Sequence, residues 1–120
     1  MSNKAISTDL LKRFEAFKLL EAEHLKWLST RLKSFTSEVG SDLLIADRMP
    51  EYCFCILEGR GRVLHQDPGL RKAVTLAFSQ PGDLIGWIGL RRRSPCEWVT
   101  CSMPMKLLAI KADDFYWLEK

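Results

Sequence analysis

Cysteine, histidine and arginine are the residues through which this chain could do chemistry, and their spacing narrows the choice. Cys53-x-Cys55 lies in an apolar run that reads as a strand, so the two thiols share a face. Thiolates so placed can begin a zinc site. Neither histidine, His24 or His65, stands at ligand spacing from them, and the pair reads instead as small buried hydrophobes. A cupin-type metal centre needs a cluster of histidine and carboxylate ligands, which two separated histidines do not supply. No Ser or Cys has a His partner by motif, so nucleophilic catalysis is not expected either. His24 reads as a helix-surface residue. Gly59-x-Gly61 and Gly86-x-x-Gly89 are too short for a dinucleotide fingerprint and have no βαβ unit around them. These residues imply no enzyme activity, no metal and no cofactor.

The dense feature is Arg91-Arg92-Arg93, flanked by Trp87 and Trp98. The arginines could hold an anion or face an acidic partner, and the bland reading is a solvated loop rim. The two indoles could form an aromatic platform or fill a core.

The chain has 120 residues, 47% hydrophobic and 28% charged, with 18 Lys+Arg against 15 Asp+Glu. One hydrophobic core fits this length, which predicts a single domain and excludes a disordered tail protein. The basic surplus is spread evenly: seven cations against five acids in 1–40, five against five in 41–80 and six against five in 81–120. No nucleic-acid-binding arm follows from that balance. No apolar stretch approaches the ~18 residues of a membrane span, and the start MSNKAISTD has no secretory h-region. A cytoplasmic domain with no direct membrane insertion is expected, and Cys53, Cys55, Cys96 and Cys101 are read as reduced thiols.

The elements that must position these residues follow from periodicity. Thr8 or Asp9 can cap a helix with Leu10, Phe14 and Phe17 on one face, and Leu25, Leu28 and Leu32 repeat the stripe in a second. From Phe35 the period becomes strand-like: Leu43 to Ile45, Tyr52 to Leu57, Val63-Leu64, then Val74, Leu76 and Phe78 in alternation, with Val63, Leu76 and Phe78 expected to face inward. Turn residues punctuate this half at intervals of roughly ten: Val39-Gly40-Ser41, Met49-Pro50-Glu51, Glu58-Gly59, Asp67-Pro68-Gly69 and Pro81-Gly82-Asp83. A last strand runs from Lys106 to Ile110, and Asp113 reads as the N-cap of a helix starting near Phe115. The predicted organisation is N-terminal helices over 1–34, a β-roll over 35–111 and, over 112–120, the start of a helix, so that the polypeptide is expected to be part of something longer.

Taken in order, these motifs resemble the cyclic-nucleotide-binding domains of the catabolite-activator and kinase-regulatory type. The carrying residues are Phe17 to Leu20 with Glu23, Leu25, Leu28 and Leu32; then Phe35, Val39-Gly40 and Leu43 to Ile45; then Met49-Pro50, Phe54 to Gly59 and Arg62 to Leu64. Leu76 to Phe78 and Gln80-Pro81-Gly82-Asp83-Leu84-Ile85-Gly86 resemble the approach to the phosphate-binding cassette, here placed at 82–100. The resemblance implies a mainly β fold with flanking helices, a double-stranded β-helix or jelly roll. It also implies a mechanism: a strand breaks at a glycine into a short helix whose free N–H groups hold the cyclic phosphate. A Glu after that glycine accepts from the ribose, and an Arg near the cassette's end bonds the phosphate.

The cassette-like segment departs from that pattern. The Glu position is Trp87, which offers one donor and no acceptor, and the Arg position falls on Pro95 or, aligned on the proline, on Cys96. Losing two charged partners worth ~1.5–3 kcal/mol each removes about two to four decades of affinity. The segment Gly86, Trp87, Ile88, Gly89, Leu90, Arg91, Arg92, Arg93, Pro95 and Cys96 is thus a degenerate site, and usual binding of cyclic AMP or cyclic GMP is not expected.

The function this implies is a regulatory or interaction domain of a larger protein. Asp67-Pro68-Gly69-Leu70-Arg71, the run from Pro81 to Trp87 and the run from Arg92 to Trp98 resemble, more narrowly, the domains that precede peptidase and ATP-binding modules in cyanobacterial toxin-secretion exporters of the ABC type. That resemblance implies a domain on the cytosolic side of a membrane exporter, partnered by the remaining domains of its parent or by another protein. The alternatives are a sensor of a different small anionic ligand, or the sensor half of a transcription regulator.

Overall fold

The computed structural model describes residues 7–67, 69 and 72–119. Its N-terminal part is helical but more broken than the periodicity predicts. Helix α1 (Thr8–Leu11) is capped by Ser7, whose hydroxyl accepts from the Asp9 N–H at 3.2 Å, rather than by Thr8 or Asp9. Phe14 is extended, and a 3-10 turn (Glu15–Phe17) follows before helix α2 (Ala22–Arg31). Pieces this short do not hold themselves; burial does. Leu11, Phe14 and Phe17 are at most 4% exposed and sit with Leu25 and Leu28 in one apolar cluster.

Six strands follow among the described residues: β1 (Lys33–Ser37), β2 (Asp42–Leu44), β3 (Tyr52–Asp67), β4 (Lys72–Ser79), β5 (Leu84–Ile85) and β6 (Val99–Lys111). They form one antiparallel sheet in the order β1-β6-β3-β4, with β2 paired to β6 and β5 to β3. The mainly β architecture with flanking helices is as expected. Strands β3 and β6 lie at its centre, and both are apolar on both faces. Cys53, Cys55, Leu108 and Ile110 join the helices' cluster, whereas Phe54, Ile56, Leu107 and Ala109 fill a second cluster with Leu44, Ile85, Val99, Cys101 and Met105. Alternate side chains of one strand therefore feed two cores.

Two expectations fail in β3 and β4. Glu58-Gly59 is not a turn: β3 runs through it with register shifts between Ile56 and Glu58 and between Glu58 and Arg60. Nor do Leu76 and Phe78 face inward, being 63% and 42% exposed, although Val63 does pack against the second core. The alternation is real but its phase is set by pairing. Phe78 lies opposite Arg62, the Arg60 guanidinium covers its ring at 4.3 Å, and Ser79 takes the buried place. A register shift between Val63 and Leu64 then leaves Leu76 outside the pairing.

Gly40 and Gly82 take positive φ in the expected turns at 39–41 and 81–83. The turn expected at Asp67-Pro68-Gly69 lies partly outside the described residues. Helix α3 (Trp87–Arg92) interrupts the sheet between β5 and β6. Helix α4 (Ala112–Leu118) begins directly after β6, with Lys111 rather than Asp113 at its cap.

Candidate functional site

Gly86 makes the break from β5 into α3. It holds φ +93°, and a Cβ there would stand 2.7 Å from the Tyr52 carbonyl oxygen, so only glycine turns the chain at this point. The Leu90 N–H then donates to the Gly86 carbonyl at 3.2 Å, closing the first turn of α3. Gly89 lets that turn lie close to Pro50, 3.1 Å from its would-be Cβ. Arg93 ends the helix in the left-handed conformation at φ 55°.

A short helix begins with N–H groups that have no partner within it. Here they are filled by the protein itself. The half-buried Glu97 carboxylate accepts from the Gly86 N–H at 3.0 Å through Oε2 and from the Gly89 N–H at 3.2 Å through Oε1. A capping side chain usually sits just before its helix and takes the N–H of the second or third helical residue. Glu97 takes the third from the far side, returning along the chain from beyond the C-terminal end of α3. Sequence reasoning gave Glu97 no role. Its one mark in the sequence is that it is the sole acid between Asp83 and Asp113, which does not disclose what it binds.

The residues expected in the site are not all brought together. Trp87 and Leu90 pack on the helix-side cluster, and no ring contact joins Trp87 to Trp98 among the described residues. The Trp98 indole N–H instead donates to Asp42 at 3.3 Å, beside β2. Pro95 is half-buried and Cys96 exposed. Arg91 lies 5.4 Å from the Trp87 ring centroid and forms an ion pair with Glu119 at 2.7 Å, while Arg93 lies 4.1 Å from the Tyr116 ring centroid. Arg92 is exposed. A cavity of about 650 Å³ opens among Phe17, Trp87, Arg91, Phe115 and Leu118, on the helix side of the sheet.

The thiols behave as apolar groups. Burial pushes Cys53 from 9.0 up to about 12, with the charges of Glu97 and Glu119 adding to it, and burial followed by the neighbouring Cys53 raises Cys55. Among the described residues no three His, Cys, Asp or Glu side chains are grouped to hold a metal.

No protein-family model and no curated protein sequence matches the chain. Solved structures do. The regulatory domain of Toxoplasma gondii protein kinase A, crystallised with cyclic AMP, superposes with a TM-score of 0.86 at 17% identity, covering 93% of this chain and 43% of that one. A cyclic-nucleotide-binding-like protein from Brucella abortus superposes at 0.76 with 17% identity, covering 94% and 97%. A putative cAMP-binding regulatory protein from Silicibacter pomeroyi gives 0.82 at 13% identity, covering 92% and 51%. This chain thus spans about half or less of two of these three neighbours. A six-stranded antiparallel roll, broken by a short helix at Gly86 and flanked by helices, is the fold of the cyclic-nucleotide-binding domains.

Proposed function

We propose that this chain is a regulatory or interaction domain of a larger protein, one that does not take up cyclic AMP or cyclic GMP in the fold's usual way. One observation carries the reading: the Glu97 carboxylate occupies the N–H groups of Gly86 and Gly89, where an anionic ligand would have to bind. A phosphate arriving there meets a negative charge, and the arginine position of the resembled cassette is Pro95 or Cys96. Trp87, at the ribose-binding position, packs toward the helices. The site residues 86–93, 95 and 96 act in this reading as a closed cassette within the segment 82–100 of the roll. The domain carries out no catalysis.

Calorimetric titration with cyclic AMP and cyclic GMP tests this. No saturable heat is expected below the millimolar range, and a micromolar Kd overturns the reading.

The parent we favour is an ABC-type toxin or peptide exporter, with this domain on its cytosolic side. The support is the resemblance of the runs 67–71, 81–87 and 92–98, of which residues 68, 70 and 71 lie outside the described structure. No helix among the described residues is long and apolar enough to cross a membrane, so this reading places the spans elsewhere in the parent. A sensor of another anion is less favoured, because Arg91 and Arg93 are engaged with Glu119 and Tyr116. Sequencing the parent gene decides: membrane spans with a Walker motif support the exporter, and a helix-turn-helix supports a transcription regulator.

A further inference from the structure

Helix α3 is held from both ends. At its start the Glu97 carboxylate binds Gly86 and Gly89; at its end the Leu90 carbonyl accepts from the Tyr116 hydroxyl at 2.8 Å. Arg91 and Arg93 add an ion pair to Glu119 and a stacked contact on Tyr116. Both partners in these three contacts, Tyr116 and Glu119, belong to α4 or its C-terminal cap. Helix α4 is anchored in turn on α2, with the Trp117 ring 4.3 Å from that of Trp27 and edge-on to His24 at 5.6 Å. A six-residue helix has little stability of its own, so its position depends on these two sets of contacts together with the burial of Leu90 and Trp87 against the helix-side core.

We propose that Glu97 is a built-in anion that sets α3 in one position and, through it, latches α4 against the roll, so that the two helices open together. This rests on the reading that the cassette is closed to cyclic nucleotide, and deepens it by naming what holds the closed state. Glu97 makes no hydrogen bond or ion pair with α4 among the described contacts. The polar contacts that link Glu97 to α4 run through α3, beside the direct packing of α4 on β3 and β6. Coupling of this kind is reciprocal: what loosens α4 must loosen the Gly86 and Gly89 N–H groups by the same factor.

Amide hydrogen exchange on the intact chain tests the latch. In Glu97→Ala, exchange at residues 115–118 should quicken at least about tenfold while Phe54, Ile56 and Leu107 in β3 and β6 keep their parent rates. Glu97→Gln, whose amide keeps one acceptor oxygen and loses the charge, should fall between. Quickening confined to α3, with α4 unchanged, overturns the proposal. Should Glu97→Ala quicken every strand alike, Tyr116→Phe decides in its place: quickened exchange at Gly86 and Gly89 supports the latch, and unchanged exchange there overturns it. Micromolar cyclic nucleotide binding by the parent protein would defeat the closed-cassette reading without touching the exchange result, so the two fail separately.

Discussion

Arg91 reaches Glu119 across 28 residues of chain, placing Nη2 at 2.7 Å and Nε at 3.1 Å from the same carboxylate oxygen. The contact joins the cassette helix to the end of α4. Of the three consecutive arginines, two thus face the terminal helix, and the run is not simply a solvated rim.

Replacing Arg91, Arg92 and Arg93 together by Ala should leave the roll folded. The ion pair is largely exposed, and such pairs contribute about 0.2–1 kcal/mol; the Arg93 stacking contact adds a similar amount. A thermal melt should shift down by no more than about 10 °C with its cooperativity intact. Weaker capture of the remaining parent domains is expected in a pull-down. Collapse of the melt would make the arginines structural, and unchanged melt with unchanged capture would return them to plain surface.

Gly59 is the backbone position least tolerant of change. It holds φ +91°, and an added Cβ would collide with the Pro104 carbonyl oxygen and stand 2.8 Å from the Met105 Cα. Both neighbours are backbone on a central strand and have nowhere to go. Gly59→Ala should cost roughly 2–4 kcal/mol, combining left-handed strain with displacement of β6. A Tm within about 2 °C of the parent would show that β3 refits without this bulge.

These positions also show what a sequence can and cannot disclose. Cys53 to Ile56 and Leu107 to Ile110 are legible as buried strands because both faces are apolar, whereas the break into a helix at Gly86 is legible only through the resemblance to the cyclic-nucleotide-binding cassette. Phase in β4 was not legible. It depends on a bulge at Leu76 itself, and nothing in Val74, Leu76 and Phe78 marks which side of the sheet is covered. The role of Glu97 was hidden for a different reason. Its partners are main-chain N–H groups 11 and 8 residues away, and backbone donors carry no signature in residue type.

The raised thiols give the molecule an alkaline limit. Cys53 titrates at about 12 in the folded chain against 9.0 ordinarily, and Cys55 is raised as well. Below pH 9 both states hold the proton and stability is unaffected. Above it the unfolded chain releases protons that the folded chain keeps, so stability falls as pH rises toward 12, by roughly 1 kcal/mol for each pH unit from Cys53, with Cys55 acting in the same direction. Denaturant unfolding at pH 8 and pH 10.5 should show a steeper loss for the parent than for Cys53→Ala with Cys55→Ala. Equal slopes would defeat this assignment. Among the four thiols Cys96 is the exposed one and should be modified first in the native state.

The cassette either lacks a positive charge or carries one negative charge too many, and the two defects answer differently to substitution. Cys96 is exposed, so Cys96→Arg adds a guanidinium at one of the two aligned positions without disturbing a core. If a missing cation were the whole defect, that single change should bring measurable binding of cyclic AMP. With the Glu97 carboxylate still on the Gly86 and Gly89 N–H groups, however, the phosphate is both sterically and electrically excluded. Two unit charges about 4 Å apart repel by about 4 kcal/mol at the effective dielectric near a protein surface, which is roughly three decades of affinity. Cys96→Arg alone should therefore stay silent in calorimetry up to the millimolar range. Adding Glu97→Ala should bring the dissociation constant down by at least tenfold relative to Cys96→Arg, provided that the double variant still melts cooperatively. Equal affinity in the single and double variants would show that Glu97 yields freely to a ligand and does not close the site.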